Sequence, residues 1–312
     1  MVFRPCPVCD SRDATIIMKF TPELLAEVNP TYNLVVLKEA CKGKEEYLTY
    51  SKCRLCGMVY CATLWDDATL GRVYGEVIDH VQSKAKMKTL SKRIFVTITW
   101  LNILRVLRMR GLKTLANLKL VDFGCGWGDF LDAADGYGVS VTGFDSDSKK
   151  TELAIQRGHR VVSTIDELKL AGPFDVFVMN SVLEHILDVP AIMNLTKEIL
   201  KPGGLFVSTV MDYRSGFIRK NAKRLELGMS ASTKDINPLE HVNLYDYKSS
   251  RSTLRKYGFD FFCTGHVLSL TNIPGLRSKA MPIRIMNNLE SLSSRVFTSI
   301  KMGITVYAWN GK

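Results

Sequence analysis

The sequence has no long hydrophobic run. Its longest charge-free apolar stretch near the middle, Ile94 to Leu104, falls far short of the ~20 residues that a membrane-spanning helix needs. No low-complexity tract and no internal repeat interrupts the 312 residues, which excludes fibrous and solenoid classes. The opening MVFRPCPVCD lacks the apolar segment of a secretory signal, so a cytoplasmic location is expected. In that compartment the eight cysteines argue for metal or free thiols and against disulfides. Histidine, the natural base near neutral pH, is scarce: there are five, at positions 80, 159, 185, 241 and 266.

What is present is an ordinary globular composition, 46% hydrophobic and 23% charged, in a chain long for one domain. The net charge of +11 is unevenly spread. Residues 1–120 carry 19 Lys and Arg against 11 Asp and Glu, residues 121–212 carry 7 against 14, and residues 213–312 carry 16 against 6. An acidic middle is flanked by two basic segments. These are either solvated faces or a basic rim that attracts an anionic acceptor.

Four cysteines form two Cys-x-x-Cys pairs, "CPVC" (Cys6, Cys9) and "CRLCG" (Cys53, Cys56). Each tight turn aims two thiolates at one point, and two turns complete a tetrahedral sulfur site suited to zinc. Gly57 permits the turn that lets backbone N–H groups face the sulfurs. The stretch between, from "TIIMKF" and "YNLVVLKEA" to "EEYLTYSK", reads as strand-rich and is expected to form the hairpins of a ribbon over residues 1–61. Cys41 and Cys61 lack a partner at the right spacing, and Cys125 and Cys263 read as packing residues.

Residues 62–118 read as a helical connector, with "DDATLGRVYGEVIDHV" as one helix and "TLSKRIFVTITWLNILRVLRMRG" as a longer, buried one ended by Gly111. From residue 119 strands and helices alternate. "LKLVDFG", "SVTGFD", "HRVVST", "FDVFVMN" and "LFVSTV" read as strands, with "WGDFLDAADGYG", "KKTELAIQRG" and "PAIMNLTKEILKPGG" as helices among them. That alternation predicts an α/β, doubly wound, Rossmann-like parallel sheet over residues 119–312.

The turn "LVDFGCGWGDF" identifies the ligand by its charges. A dinucleotide fingerprint needs its third glycine where Asp129 stands. A pyrophosphate prefers bare N–H groups, and Asp122 and Asp129 beside the turn would repel it. S-adenosylmethionine carries a sulfonium and an ammonium, both of which carboxylates attract. Gly124, Gly126 and Gly128 then let the backbone approach that cofactor, and NAD is excluded. Asp145, seventeen residues after Gly128, closes the second strand, where an acid can accept hydrogen bonds from both ribose hydroxyls.

At these residues the chain resembles the class I S-adenosylmethionine-dependent methyltransferases, through "VDFGCGWG", "GFDSD", "FDVFVMNSVLEHILD" and "ILKPGGLFVSTV". The resemblance implies seven strands in the order 3-2-1-4-5-7-6 with the last antiparallel. It implies that the three glycines shape the cofactor turn, that Asp122 lies near the methionine end and that Asp145 holds the ribose. It places Thr164, Ile165 and Asp166 by the adenine and Asn180 near the methionine moiety. The cysteine pairs ahead of this domain resemble those of bacterial zinc-ribbon methyltransferases acting on sugars, often nucleotide-linked. "EHVNLYDYKSSRSTLRKYGF" is similar to a segment of that group and of ubiquinone-type O-methyltransferases.

Methyl transfer requires that the acceptor be positioned and often deprotonated. His185 lies in "LEHILD", just past the fourth strand, at the edge where doubly wound sheets bind ligands. His241 lies in "LEHVNLY", and Glu184 is a candidate base or salt-bridge partner. Each of these also has a purely structural reading. An Asn-Pro-Pro-Tyr motif of amino-methylating nucleic-acid enzymes is absent, since "NSVLEH" occupies its place. The resemblance to the zinc-ribbon group implies a small-molecule acceptor of sugar or nucleotide-sugar type, and the basic flanks point to an anionic or phosphate-bearing one. The basic "YRSGFIRKNAKR" (Arg214, Arg219, Lys220, Lys223, Arg224) would meet it, with RNA as the alternative.

Overall fold

The computed structural model describes residues 2–29, 32–41, 48–65, 90–112, 114–213, 220, 223–224, 236–263 and 303–311. They form two compact units, each drawn from separated stretches of chain. One comprises 1–83, 183–192 and 211–256, the other 84–182, 193–210 and 257–312.

The first unit is built on a five-stranded antiparallel sheet. Strands β1 (Val2–Phe3), β4 (Val59–Leu64), β3 (Leu48–Cys53) and β2 (Ala14–Phe20) lie side by side in that order. A late strand, β10 (Asn243–Leu244), also pairs with β4, so β4 holds β1 at Thr63 and Leu64 and β10 at Val59 and Tyr60. The core combines Phe20, Leu25, Tyr50 and Trp65 with Ile236, Leu239, Val242 and Leu244. The Phe20 and Tyr50 rings meet edge to face, 5.5 Å apart, a geometry that adds about 0.5–1.5 kcal/mol beyond area burial.

Between β2 and β3 the chain departs from the strand-rich expectation by forming two helices. Thr21 accepts from the Leu24 N–H and Pro22 sits in the first turn, starting a helix over Pro22–Val28. "YNLVVLKEA" is also helical, over Leu34–Cys41. Asn33 caps it through the Val35 and Val36 N–H groups. The cap and the tertiary packing of Leu37 outweigh the strand preference of the Val-Val pair.

The second unit carries a seven-stranded sheet: β5 (Lys119–Phe123), β6 (Ser140–Phe144), β7 (Arg160–Val162), β8 (Phe174–Asn180), β9 (Leu200–Met211), β11 (Phe259–Cys263) and β12 (Gly303–Asn310). Their order is β11-β12-β9-β8-β5-β6-β7, which in strand sequence is 3-2-1-4-5-7-6 read from the other edge. Pairing is parallel from β7 through β9, and β12 runs antiparallel to β11. Val121, Val176, Val178, Leu205 and Val207 are almost wholly buried, as the strands of a sheet covered on both faces must be.

The long connector helix, Leu90–Met109, contributes Val96, Trp100, Ile103 and Leu107 to the core of this unit, where Trp100 meets Phe130 edge to face. The Arg110 guanidinium stacks over the Trp309 ring at 4.2 Å. The helix predicted over "DDATLGRVYGEVIDHV" lies outside the described residues. A further helix, Ile165–Ala171, follows β7 and is started by a Thr164–Glu167 capping box. Among the described residues no helix is long and apolar enough to cross a membrane.

Candidate active site

In the second unit, β5 ends in the glycine turn. Gly124, Gly126 and Gly128 take φ of +79°, +51° and +84°, a region L side chains rarely adopt. A Cβ on Gly124 would lie 2.5 Å from Val182, and one on Gly128 would lie 2.8 Å from Ala154. These two glycines are required by close packing. Gly126 faces open space, with nothing within 4 Å of where its Cβ would be. The Arg157 guanidinium donates to the Trp127 carbonyl and pairs with Asp132, which His159 also meets at 2.6 Å.

Asp145 does something that its strand-end position alone did not reveal. Its Oδ2 accepts from the Gly126 N–H at 2.9 Å and its Oδ1 from the Asp147 N–H at 3.0 Å. The carboxylate thus ties the glycine turn to the end of β6. Asp122 is buried in β5 at 3% exposure. Cys125 packs against Leu131 and Ala154, and burial pushes its thiol far above the ordinary range.

Asn180 closes β8. Both atoms of its side-chain amide are buried, and neither has a hydrogen-bond partner among the described residues. The next residue, Ser181, holds φ +55° while its N–H donates to Thr209. Stored strain beside an unsatisfied amide is characteristic of ligand sites. Nothing in a serine announces that conformation in advance. Thr164, Ile165 and Asp166 lie exposed just past β7, with Thr164 also serving as helix cap. These donors and carboxylates fit a cationic nucleoside ligand: close-approach glycines, an orphaned amide, and acids rather than bases.

In the first unit the two cysteine pairs converge. All four sulfurs lie within 4.8 Å of one another, with Cys6–Cys56 and Cys9–Cys53 at 3.5 Å. A tetrahedral zinc with bonds of about 2.3 Å needs sulfurs roughly 3.8 Å apart, so the set fits that ion. The two turns are built alike. Cys6 N–H donates to Ser11 and Asp10 N–H to Cys6, while Cys53 N–H donates to Met58 and Gly57 N–H to Cys53. Asp10 and Gly57 occupy matching left-handed positions, at φ 61° and 80°. Burial raises the Cys56 thiol to about 11. Burial would raise Cys53 too, but N–H groups of Cys56 and Leu55 and the Cys9 thiol outweigh it and leave Cys53 at about 7. Cys61 is separate, its thiol donating to the Thr63 carbonyl.

The same unit gathers Glu184, His185 and His241. Glu184 and His185 stand on a single 3-10 turn, Leu183–His185, and the reactive atoms of all three residues lie within 4.8 Å of one another. The imidazole centroids are 4.8 Å apart. His185 Nδ1 lies 2.5 Å from the Glu240 carbonyl. A carbonyl only accepts, so Nδ1 carries the proton and Nε2 is the basic nitrogen. Glu184 is 2% exposed with neither oxygen hydrogen-bonded among the described residues, and burial pushes its carboxyl up to about 8. Burial thus favours the protonated form of Glu184, whose carboxyl lies beside both imidazoles. Glu240 is held in turn by Tyr32, Asn237 and Asn29, whose donors converge on its Oε1.

His80, His266, Arg214 and Arg219 lie outside the described residues, while Lys220, Lys223 and Arg224 are exposed.

The sheet order, the glycine turn and the acid after β6 define a class I methyltransferase fold. A family model described as "Methyltransferase domain" matches residues 101–263, and the chain belongs to that family. It is similar to the ubiquinone biosynthesis O-methyltransferase of Bradyrhizobium sp. (strain ORS 278), with 31% identity over 110 residues, 33% of this chain and 44% of that protein. The enzyme of the same name from Haemophilus ducreyi is 33% identical over 128 residues, 35% of this chain and 54% of that one. The chain spans about half the length of these curated relatives. Among solved structures, the plantazolicin methyltransferase BpumL in complex with SAH shares the fold, with a TM-score of 0.50 and 14% identity over 78% of this chain and 94% of that one.

Proposed function

We propose that the protein transfers a methyl group from S-adenosylmethionine to a small-molecule acceptor of sugar or nucleotide-sugar type. The observation that carries this reading is the glycine turn clamped by Asp145, together with the orphaned amide of Asn180. When bound, S-adenosylmethionine supplies an electrophilic methyl group. Asp122 and Asn180 would hold its methionine end, Asp145 its ribose, and Thr164, Ile165 and Asp166 its adenine. Gly124, Gly126 and Gly128 give the backbone room to approach it.

On the acceptor side, an imidazole takes the proton of the attacking group. His185 Nε2 has the required tautomer, His241 lies beside it, and Glu184 at neutral pH serves as a proton donor or hydrogen-bonding acid. Zinc on Cys6, Cys9, Cys53 and Cys56 is structural in this reading, because four thiolates leave no open position on the ion. The excess of Lys and Arg in residues 213–312 supports an anionic acceptor.

Calorimetry tests the cofactor. S-adenosylmethionine should bind and NAD should not, and Asp145→Ala should weaken binding by about 1–3 kcal/mol by stranding the Gly126 N–H and its ligand partners. Tight binding of NAD alone would overturn the reading. Labelled cofactor offered with nucleotide sugars, free sugars, ubiquinone precursors of the kind the relatives' names suggest, and RNA tests the acceptor. Label on RNA that collapses with salt, with a log–log slope of about one per phosphate contact, with the sugars inert, would replace a small acceptor by nucleic acid.

A further inference from the structure

Arg4 lies between β1 and the first cysteine of the sulfur cluster, and no sequence motif singles it out. Its backbone N–H donates to Ala62 on β4, so the strand fixes its position. Its side chain reaches across the first unit. One terminal nitrogen donates to the Leu187 carbonyl at 3.2 Å. The other donates to the Val242 carbonyl at 2.9 Å and to Asn243 Oδ1 at 2.7 Å. Asn243 passes the contact on, its Nδ2 donating to Ile186 at 2.7 Å and to Leu183 at 3.3 Å.

Those acceptors bracket the histidine cluster. Leu183, Ile186 and Leu187 flank Glu184 and His185, while Val242 and Asn243 follow His241 directly. A single guanidinium therefore sets the spacing of both segments. Only its planar fork presents donors in the needed directions, and a lysine would offer one point of contact. Among the described residues its hydrogen-bond partners are two carbonyls and one amide oxygen. Strand β1 is only two residues long. Arg4 stands two residues before Cys6 in the chain, and its guanidinium lies over the Tyr60 ring of β4 at 5.5 Å.

We propose that Arg4 is a positioning residue for the His185–His241 pair and that the four-cysteine cluster, when loaded with zinc, acts on acceptor chemistry through it. This rests on the reading of the two imidazoles as the acceptor-side groups, yet it is testable without any acceptor. Metal loading orders the Cys6 turn, the turn orders Arg4, and Arg4 with Asn243 orders the Leu183–His185 turn and the start of β10.

The test uses the full chain with ¹⁵N-labelled histidine, and long-range ¹H–¹⁵N spectra assigned by single His→Gln variants. In the zinc-loaded wild type, His185 should show one tautomer, protonated at Nδ1. Arg4→Gln should turn it into a tautomer mixture and move the His241 signal, with zinc content and the His159 signal unchanged. Arg4→Lys should give an intermediate spectrum. Removing zinc by chelation should move the same two signals in the wild type and add little in Arg4→Gln. Unchanged His185 and His241 signals in a zinc-loaded Arg4→Gln protein would overturn the positioning role. Unchanged signals on zinc removal would overturn the link to the cluster. If Arg4→Gln fails to fold, Arg4→Lys and the chelated wild type decide the matter alone. Were the imidazoles to prove irrelevant to methyl transfer, activity would survive His185→Gln, an outcome separate from the spectra.

Discussion

Glu184 is the residue whose environment says most about its chemistry. Its carboxyl is buried beside His185, His241 and Tyr245, and burial alone lifts it to about 8. The consequence for stability has a definite sign. An unfolded glutamate titrates near 4.3, so the folded chain holds a proton that the unfolded chain has lost between these values. Stability from this group is complete below about pH 4 and is lost as pH rises through about 8. Glu184→Gln should therefore remove an alkaline loss: relative to the variant, wild type should melt at lower temperature at about pH 9 than at about pH 6. Parallel melting curves at the two pH values would contradict the buried acid. Sequence alone pointed to Glu184 and His185 because they follow the fourth strand at the edge where such sheets bind ligands, and to His241 because it lies in the segment similar to ubiquinone-type enzymes. It could not point to Arg4, Asn243, Tyr32 or Glu240. Their roles rest on hydrogen bonds between residues as far apart in sequence as 239 positions, and such pairings leave no local spacing to read.

At the scale of elements, the glycine turn and the cysteine turns show how much a local pattern determines. Three glycines alternate in the cofactor turn, but they do different work. Gly124→Ala should lower the melting temperature markedly, since its Cβ would overlap Val182 at 2.5 Å. Gly126→Ala should cost only the ~1–2 kcal/mol of a left-handed L residue, while weakening S-adenosylmethionine binding because its Cβ enters the open side of the turn. Melting curves and calorimetry on the two variants separate these effects, and equal melting losses would sink the distinction. The strands from β5 to β9 were legible because short β-branched and aromatic segments alternate with helical ones. "YNLVVLKEA" misled because its β-branched pair signals strand while the helix is set by the Asn33 cap and by Leu37 packing in the core. Asp10 was invisible as a turn residue, since only its structural match to Gly57 reveals the left-handed position.

For the whole molecule, the interleaving of the chain matters more than its length. The cysteine unit is completed by residues 183–192 and 211–256, whose Ile236, Leu239, Val242 and Leu244 share a core with Phe20 and Tyr50. A chain shortened to begin at residue 62 would leave those side chains without their partners. It should bind hydrophobic dye and elute as aggregate in gel filtration, whereas the full chain should not. A well-behaved, dye-free product of that truncation would show that these segments find another cover.

Strand β4 takes β1 on one edge near Leu64 and β10 on the same edge near Tyr60. During synthesis these partners arrive at very different times. The first is already made when β4 leaves the ribosome, but residue 243 follows only after a further delay on the order of ten to forty seconds at ~5–20 residues per second. Any sheet that β4 has joined by then presents the backbone groups of Val59 and Tyr60 as an open edge until β10 arrives. Translation speed and chaperone occupancy over the intervening message therefore bear on the yield of native protein, and synonymous codon changes there are a means of altering it without touching a single side chain.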